Sequence, residues 1–179
     1  MTSALVGILG VVVGVLFSNL AVRILEYVRR RERIQDVSTA IRAEIRSHRQ
    51  RLLLFKDEAA DAVTRRISES ADYTPFVPSE GQSFVLDAIV GEIHILPTEV
   101  IDPVVYYYRQ IAALGRFADD LRSDRFAMLE AARKAEMYRD YIAMGEYALE
   151  LAEQAIKALE ESSVAGLRTG GAGNRRGWR

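Results

Sequence analysis

The two histidines of this chain are the residues whose chemistry would be most informative if they formed a site. His48 follows Glu44 by one helical turn, and an imidazole beside a carboxylate can transfer a proton or bind a metal ion. His94 follows Glu92 by two positions, a spacing that does not place both side chains on one helical face. No second group of ligands has the spacing of a metal motif. We therefore predict that His48 is a hydrogen-bonded histidine in the core or at its edge, and that the chain has no metal site.

Motifs for other chemistry are also absent from the sequence. It contains no nucleophile elbow, phosphate-binding loop or dinucleotide-binding fingerprint, and it has no cysteine. Its 24 Lys and Arg residues are balanced by 25 Asp and Glu residues, so the overall charge does not indicate a nucleic-acid partner. The sequence thus predicts no catalytic residue, no cofactor, no nucleic-acid partner and no enzymatic activity.

The most apolar segment runs from Ala4 to Val22 and contains no charged residue, with only Ser18 and Asn19 properly polar. As a helix it would measure about 28 Å, close to the hydrocarbon thickness of a bilayer. A cleaved signal peptide is the main alternative, but the first residues carry no basic side chain and no cleavage region follows. A buried core helix is disfavoured because no other segment is comparably apolar. We predict a transmembrane anchor over residues 1–22, with the lipid bilayer as a partner.

The charges that flank this segment predict its orientation. No basic side chain precedes it, whereas an arginine cluster follows it that only Glu26 and Glu32 oppose. Basic residues next to a membrane helix remain on the cytoplasmic side, and acidic residues count for little. The N-terminus should therefore lie outside and the C-terminal domain should be cytoplasmic. The membrane-proximal basic residues of this prediction are Arg23, Arg29, Arg30, Arg31 and Arg33.

Small residues recur every three or four positions within the predicted anchor. Gly10 and Gly14 form a GxxxG pair, which Gly7 and Ser18 extend along the same face. Small residues at this spacing allow the backbone of another membrane helix to approach closely. The alternative is that glycine is simply frequent in membrane helices. We predict a packing face for another transmembrane helix, from a second copy or from a different protein.

The segment after the anchor has the pattern of one long helix. No Gly or Pro occurs from Val15 to Thr74, and apolar positions recur with a mean period of about 3.7 residues. This period is typical of a nearly straight helix, which we predict over residues 23–67. The recurring positions are Ile34, Val37, Ile41, Ile45, His48, Leu52, Phe55, Ala59, Val63 and Ile67.

The rest of the chain is predicted to complete an all-α, antiparallel bundle of about four helices over residues 23–163. Prolines and glycine end the first helix in a loop over residues 68–82, where Phe76 and Val77 could pin the loop to the domain or dock a partner; pinning is favoured. Further helices are predicted over residues 83–96, 98–122 and 124–162. With short connections they alternate in direction, so that the last helix runs antiparallel to the first. The alternative stacks the two short helices end to end and makes the last helix parallel to the first.

Tyrosines cluster in the predicted helix over residues 98–122. Its inner face would carry Tyr107 and Tyr108, whereas Tyr106 points outward. A tyrosine cluster can line a ligand pocket, but at helical spacing it is more often part of the core, where each hydroxyl finds a partner.

The C-terminal segment, residues 164–179, is rich in glycine and is predicted to be a disordered basic tail. It could touch anionic lipid or nucleic acid, although such an end is usually a solvated tail. The candidate contact residues are Arg175, Arg176, Trp178 and Arg179.

Two classes of function fit these features. The first is a membrane-anchored helical scaffold or interaction protein, for example an accessory subunit of a larger membrane complex. The second is an oligomerising, membrane-perturbing effector of the phage or toxin type. An uncharged apolar helix offers only Ser18 and Asn19 to line a pore, so the sequence favours the first class.

Overall fold

The structure is a computed structural model that describes the backbone of residues 2–53, 59–70, 72–78 and 84–171. Within these ranges it describes all side chains except those of residues 2–13, 59, 84, 86 and 164–171. Part of the predicted anchor lies outside the described residues. The last eight residues of the chain lie outside them entirely.

The described residues form helices and their connections, with no strand among them. The all-α fold class predicted from the sequence is therefore confirmed. In chain order the helices are α1 (Thr2–Leu53), α2 (Ala59–Glu69), α3 (Phe84–Ile89), the 3-10 helix η1 (Val90–Ile95), α4 (Thr98–Leu121), α5 (Asp124–Ala127) and α6 (Ala131–Gly171).

In the part of the chain that the structure describes, no helix combines the length and the apolar character needed to cross a membrane. The anchor predicted over residues 1–22 stays a prediction.

The chain divides into two compact units, residues 1–37 and residues 38–179. The first unit is the N-terminal part of α1. The second unit contains the apolar core, in which α6 packs against both α2 and α4. Alanines on α6 allow this close packing because a small side chain lets neighbouring elements approach; those that are buried are Ala135, Ala148, Ala152 and Ala155.

Two ion pairs establish the relative direction of α6 and of the α1 segment after residue 37. Arg46 contacts Glu160 and Arg49 contacts Glu153, each at 2.6 Å between side-chain nitrogen and oxygen. The partner of the later α1 residue has the lower residue number on α6, so the two segments are antiparallel, as predicted for alternating helices. The arrangement with short helices stacked end to end and a parallel last helix is wrong.

The apolar periodicity identified the buried faces of both α1 and α4. On α1 the recurring positions Val37, Ile41, Ile45, His48 and Leu52 are buried. On α4 the predicted inner face is buried as well, including Val104, Tyr107, Tyr108, Ile111, Leu114, Ala118 and Leu121, whereas Tyr106 is exposed. The periodicity therefore predicted which side chains form the core.

The long helix predicted over residues 23–67 corresponds to α1 and α2. The first ends at Leu53 and the second begins at Ala59. Residues 54–58, with Phe55 of the recurring series, lie outside the described residues.

The helix predicted over residues 124–162 is two helices in the structure. Ser123 caps α5, since its hydroxyl accepts a hydrogen bond from the Phe126 backbone N–H at 3.3 Å. The chain then leaves the helical path and resumes it at Ala131. Phe126 is completely buried, and we attribute the interruption to this burial, because the sequence there contains neither Gly nor Pro. The backbone of α6 continues to Gly171, beyond the predicted end and into the segment predicted to be a tail.

The helix predicted over residues 83–96 changes its geometry halfway. After α3, the chain tightens into the 3-10 helix η1, which contains Gly91, a residue that weakens an α-helix. Leu96 is extended, with φ −69° and ψ 151°, as the residue before a proline prefers. The next helix, α4, begins at Thr98 as predicted and includes Pro103.

Candidate functional site

An exposed apolar segment of α1 is the most unusual surface in the first unit. The large apolar side chains from Val15 to Val28 are between 42% and 69% exposed. Val15, Leu16 and Phe17 are consecutive, and successive residues of a helix point about 100° apart, so the exposure is not confined to one stripe. A helix that is apolar all round normally lies in a protein core or in a membrane. The exposed apolar residues are Val15, Leu16, Phe17, Leu20, Val22, Ile24, Leu25, Tyr27 and Val28.

The one amide side chain within this segment is satisfied by the helix itself. The Asn19 side-chain nitrogen donates to the backbone carbonyl of Val15 at 2.9 Å. Burying a polar group in an apolar medium costs much less when it keeps a hydrogen bond. Asn19 is therefore less of an obstacle to burial of this segment than its residue type suggests.

The predicted packing face of small residues is only partly described. A β-carbon added to Gly14 would meet no atom within 4 Å, so this glycine faces open space, and Ser18 is exposed. The surroundings of Gly7 and Gly10 lie outside the described residues. A partner for this face therefore stays a prediction.

Arginines lie within the exposed apolar segment and directly after it. Arg23, Arg29 and Arg30 are exposed, and Arg31 is half-buried. Arg33 is exposed and has an interaction partner. The structure thus places the predicted membrane-proximal arginines beside apolar side chains that are themselves open to solvent.

A polar cluster in the second unit, buried at His48 and Tyr107 and partly buried at Glu44, joins α1 to α4 and to the start of α3. His48 Nδ1 lies 3.1 Å from the Tyr107 hydroxyl, and Glu44 Oε2 accepts a hydrogen bond from the Tyr108 hydroxyl at 2.6 Å. The second carboxylate oxygen, Glu44 Oε1, accepts from the backbone N–H of Val85 at 3.1 Å. A hydrogen bond to a charged group contributes roughly 1.5–3 kcal/mol. The cluster therefore fixes three elements of the second unit against one another.

The surroundings of His48 favour its neutral form. Burial is the largest cause that lowers its pKa below the ordinary value of 6.5, the charge of Arg51 lowers the pKa further, and Glu44 opposes this shift. A neutral imidazole can accept a hydrogen bond from the Tyr107 hydroxyl or donate one to its oxygen, depending on the tautomer. The prediction that His48 is a hydrogen-bonded core histidine is confirmed, and so is the prediction that the buried tyrosine hydroxyls find partners.

A small cavity lies in the core of the second unit. A cavity of about 30 Å³ lies between α1, α4 and α6, and it is large enough for about one water molecule. In the ranges that the structure covers, no group of three side chains could hold a metal ion, and His94 is exposed. The lining residues of the cavity are Leu52, Leu114, Tyr141, Ile142, Gly145, Glu146 and Leu149.

The connection between α2 and α3 both pins itself to the domain and presents one aromatic side chain. Pro75 and Val77 are buried, whereas Phe76 between them is 86% exposed. The Arg66 guanidinium lies over the ring of Tyr73, 4.6 Å from its centroid, which also fixes the start of this connection. The predicted pinning is confirmed for Val77, and Phe76 is left as a candidate contact.

Sequence reasoning did not identify Glu44 and Tyr108 as partners. Both lie at recognisable positions, since Glu44 precedes His48 by one turn and Tyr108 lies on the inner face of α4. Their contact depends on the packing of α4 against α1, which periodicity alone does not specify. The tail residues Arg175, Arg176, Trp178 and Arg179 lie outside the described residues.

Comparison with protein-family models, with curated proteins and with solved structures found no match to this chain.

Proposed function

We propose that the protein is a membrane-anchored helical interaction protein, an accessory subunit of a larger membrane complex. In this proposal the N-terminal part of α1 crosses the bilayer, and the helical unit of residues 38–179 contacts partners at the cytoplasmic membrane face. The observation that supports it most strongly is the exposure of apolar side chains around α1 from Val15 to Val28. In the sequence, the uncharged run begins at Ala4, before these residues, and continues to Val22.

The free energy of burying these side chains favours a membrane location. Full burial of a large apolar side chain contributes roughly 1.5–3 kcal/mol. For nine side chains that are about half exposed, the sum is on the order of 10 kcal/mol. Burial of Asn19, which keeps a hydrogen bond, costs much less free energy than this sum. Transfer of these apolar side chains into lipid is therefore favourable.

The arginines that follow the apolar segment support the proposed orientation. Arg23 and the arginines from Arg29 onward lie on the C-terminal side of the uncharged run Ala4 to Val22, and basic residues near a membrane helix remain in the cytoplasm. The N-terminus is accordingly outside and the helical unit is inside.

Exposed apolar side chains on two connections of the second unit support an interaction role. Phe76 follows α2, and Met128 lies between α5 and α6; among the side chains of this unit that the structure describes, they are the two most exposed large apolar ones. Aromatic residues and Met are enriched at protein interfaces. The proposal assigns no catalytic reaction to the protein.

Alkaline extraction of membranes tests the anchoring. The native chain should stay in the membrane pellet after a carbonate wash, whereas a variant with Leu16→Asn, Phe17→Asn and Leu20→Asn should move to the supernatant. A matched variant with Val90→Asn, Met128→Asn and Tyr147→Asn also changes three exposed apolar residues and should stay in the pellet. Release of the native chain by carbonate would contradict the proposal.

A further inference from the structure

We infer that the cytoplasmic membrane interface lies at Tyr27–Arg31 and that Arg29, Arg30 and Arg31 bind the headgroups of anionic phospholipids. This inference rests on the proposed membrane anchoring and adds two properties to it, the depth of the helix and the class of lipid that it contacts.

The exposed apolar surface continues well beyond the uncharged run. Ile24, Leu25, Tyr27 and Val28 are all exposed, and they follow Arg23. If the interface lay directly after Val22, these four side chains would remain in water. A helix from Ala4 to Val28 has twenty-five residues and measures about 37 Å, somewhat more than the bilayer hydrocarbon of about 30 Å. Membrane helices absorb such an excess by tilting. The apolar surface therefore places the interface at Val28 rather than at Val22.

The two charged residues between Val22 and Val28, Arg23 and Glu26, are compatible with an interface at this depth. Arg23 lies only about 8 Å from Val28 along the helix, so its long side chain can extend to the headgroups. Glu26 has Arg23 three positions before it, Arg29 three positions after it and Arg30 four positions after it. Opposite charges at these spacings lie on neighbouring parts of the helical surface and attract each other. The carboxylate of Glu26 is thus surrounded by basic residues at the edge of the bilayer.

The residues at the end of the apolar surface have the chemistry of a headgroup layer. Tyr27 is exposed, and tyrosine is enriched where hydrocarbon meets water. Arg29, Arg30 and Arg31 are consecutive, so they point in three directions around the helix and can reach headgroups on several sides. A guanidinium group binds phosphate through two parallel hydrogen bonds, and each basic residue near an anionic surface contributes about 1 kcal/mol. This segment therefore fits anionic phospholipid.

Nitroxide labels on the full-length chain test the depth. The chain has no cysteine, so Val22→Cys, Tyr27→Cys and Gln35→Cys each introduce a single labelling site. In phosphatidylcholine bilayers, the label at position 22 should collide with oxygen, which concentrates in hydrocarbon. The label at position 27 should report headgroup depth, and the label at position 35 should collide with a water-soluble nickel complex.

Spin-labelled lipids test the lipid class on the same reconstituted protein. Phosphatidylglycerol should associate with the native chain about fivefold more strongly than phosphatidylcholine, the factor that corresponds to about 1 kcal/mol. A variant with Arg29→Gln, Arg30→Gln and Arg31→Gln should lower this ratio substantially, and salt of about 1 M should reduce it toward one. A control with Arg109→Gln, Arg116→Gln and Arg125→Gln changes the net charge equally at exposed positions of the second unit and should keep the native ratio.

The outcomes separate this inference from the proposed function. If the label at position 22 reports water, the anchoring itself is wrong. If that label reports headgroup depth and the label at position 27 reports water, or if the native lipid ratio is one, the inference is overturned while the anchoring stands. Equal lipid ratios for the native chain and the Arg29–Arg31 variant would also overturn it.

Discussion

At the scale of single residues, His48 shows how the surroundings of a titratable group determine its role. The imidazole is buried on α1 and lies 3.1 Å from the Tyr107 hydroxyl of α4. Burial and the charge of Arg51 lower its pKa, and Glu44 reduces this effect. The folded chain therefore keeps His48 neutral at pH values at which the unfolded chain protonates it.

This difference predicts a dependence of stability on pH. Between its ordinary pKa of 6.5 and its lower pKa in the folded state, the unfolded chain binds the proton and the folded chain does not. The free energy of unfolding should therefore decrease as the pH falls below 6.5, by about 1.4 kcal/mol for each unit by which the pKa is lowered. The free energy of unfolding at each pH can be measured by urea unfolding of the full chain in detergent micelles, with circular dichroism as the signal.

Two variants separate His48 from the other titrating groups. His48→Gln should flatten the stability profile in this pH range relative to the native chain. His94→Gln removes an exposed imidazole and should leave the native profile intact. Identical profiles for the native chain and His48→Gln would show that His48 does not carry the pH dependence.

At the scale of elements, α6 combines close packing with one unfilled position. Its buried alanines pack against α2 and α4, yet Gly145 lines the small cavity beside Leu52 and Leu114. A β-carbon added to Gly145 would meet no atom within 4 Å. Glycine also destabilises a helix interior relative to alanine. Position 145 is therefore suited to a larger residue.

Gly145→Ala should raise the free energy of unfolding by about 1 kcal/mol, because it removes the glycine penalty without a clash. Ala148→Gly, at a fully buried position one turn away, should lower it by at least as much. Thermal unfolding of both variants beside the native chain measures the two shifts. A lower melting temperature for Gly145→Ala would contradict this prediction, because it would show that a β-carbon at position 145 destabilises the packing.

The N-terminal part of α1 carries the predicted packing face of Gly7, Gly10, Gly14 and Ser18. Replacing Gly10 and Gly14 with Ile should weaken association in a membrane two-hybrid assay or remove a co-purifying partner, because the branched side chains hold another backbone away. Leu9→Ala changes a different face and should leave the association intact. The opposite pattern would place the contact on the face of Leu9.

The sequence predicted buried faces better than it predicted the ends of helices. Period and residue type identify Ile41, Ile45 and Tyr107 as core and Tyr106 as surface, since an apolar face must be buried. The break between α5 and α6 has no Gly or Pro, and we attribute it to the burial of Phe126, which the sequence does not specify. The hydrogen bond from the Val85 backbone to Glu44 joins residues far apart in sequence, and only the packed structure specifies it.

At the scale of the whole molecule, the two units have contrasting surfaces. The first unit exposes apolar side chains around its helix from Val15 to Val28, whereas the second unit has a buried apolar core and carries ion pairs such as Arg49–Glu153 on its surface. Exposure of the apolar surface of the first unit to water is unfavourable, and a bilayer would remove this surface from water. We therefore expect the apolar part of the first unit, up to about Val28, to lie in lipid and the second unit to lie in water.

Labelling of single cysteines in intact cells tests this expectation most directly. The chain has no natural cysteine, so Thr2→Cys, Leu16→Cys and Gln154→Cys each provide one thiol for a membrane-impermeant maleimide. The proposed anchoring and orientation predict that position 2 reacts in intact cells, that position 154 reacts only after lysis, and that position 16 reacts only after detergent is added. Reaction at position 16 without detergent would contradict the membrane anchor, and reaction at position 154 in intact cells would contradict the orientation.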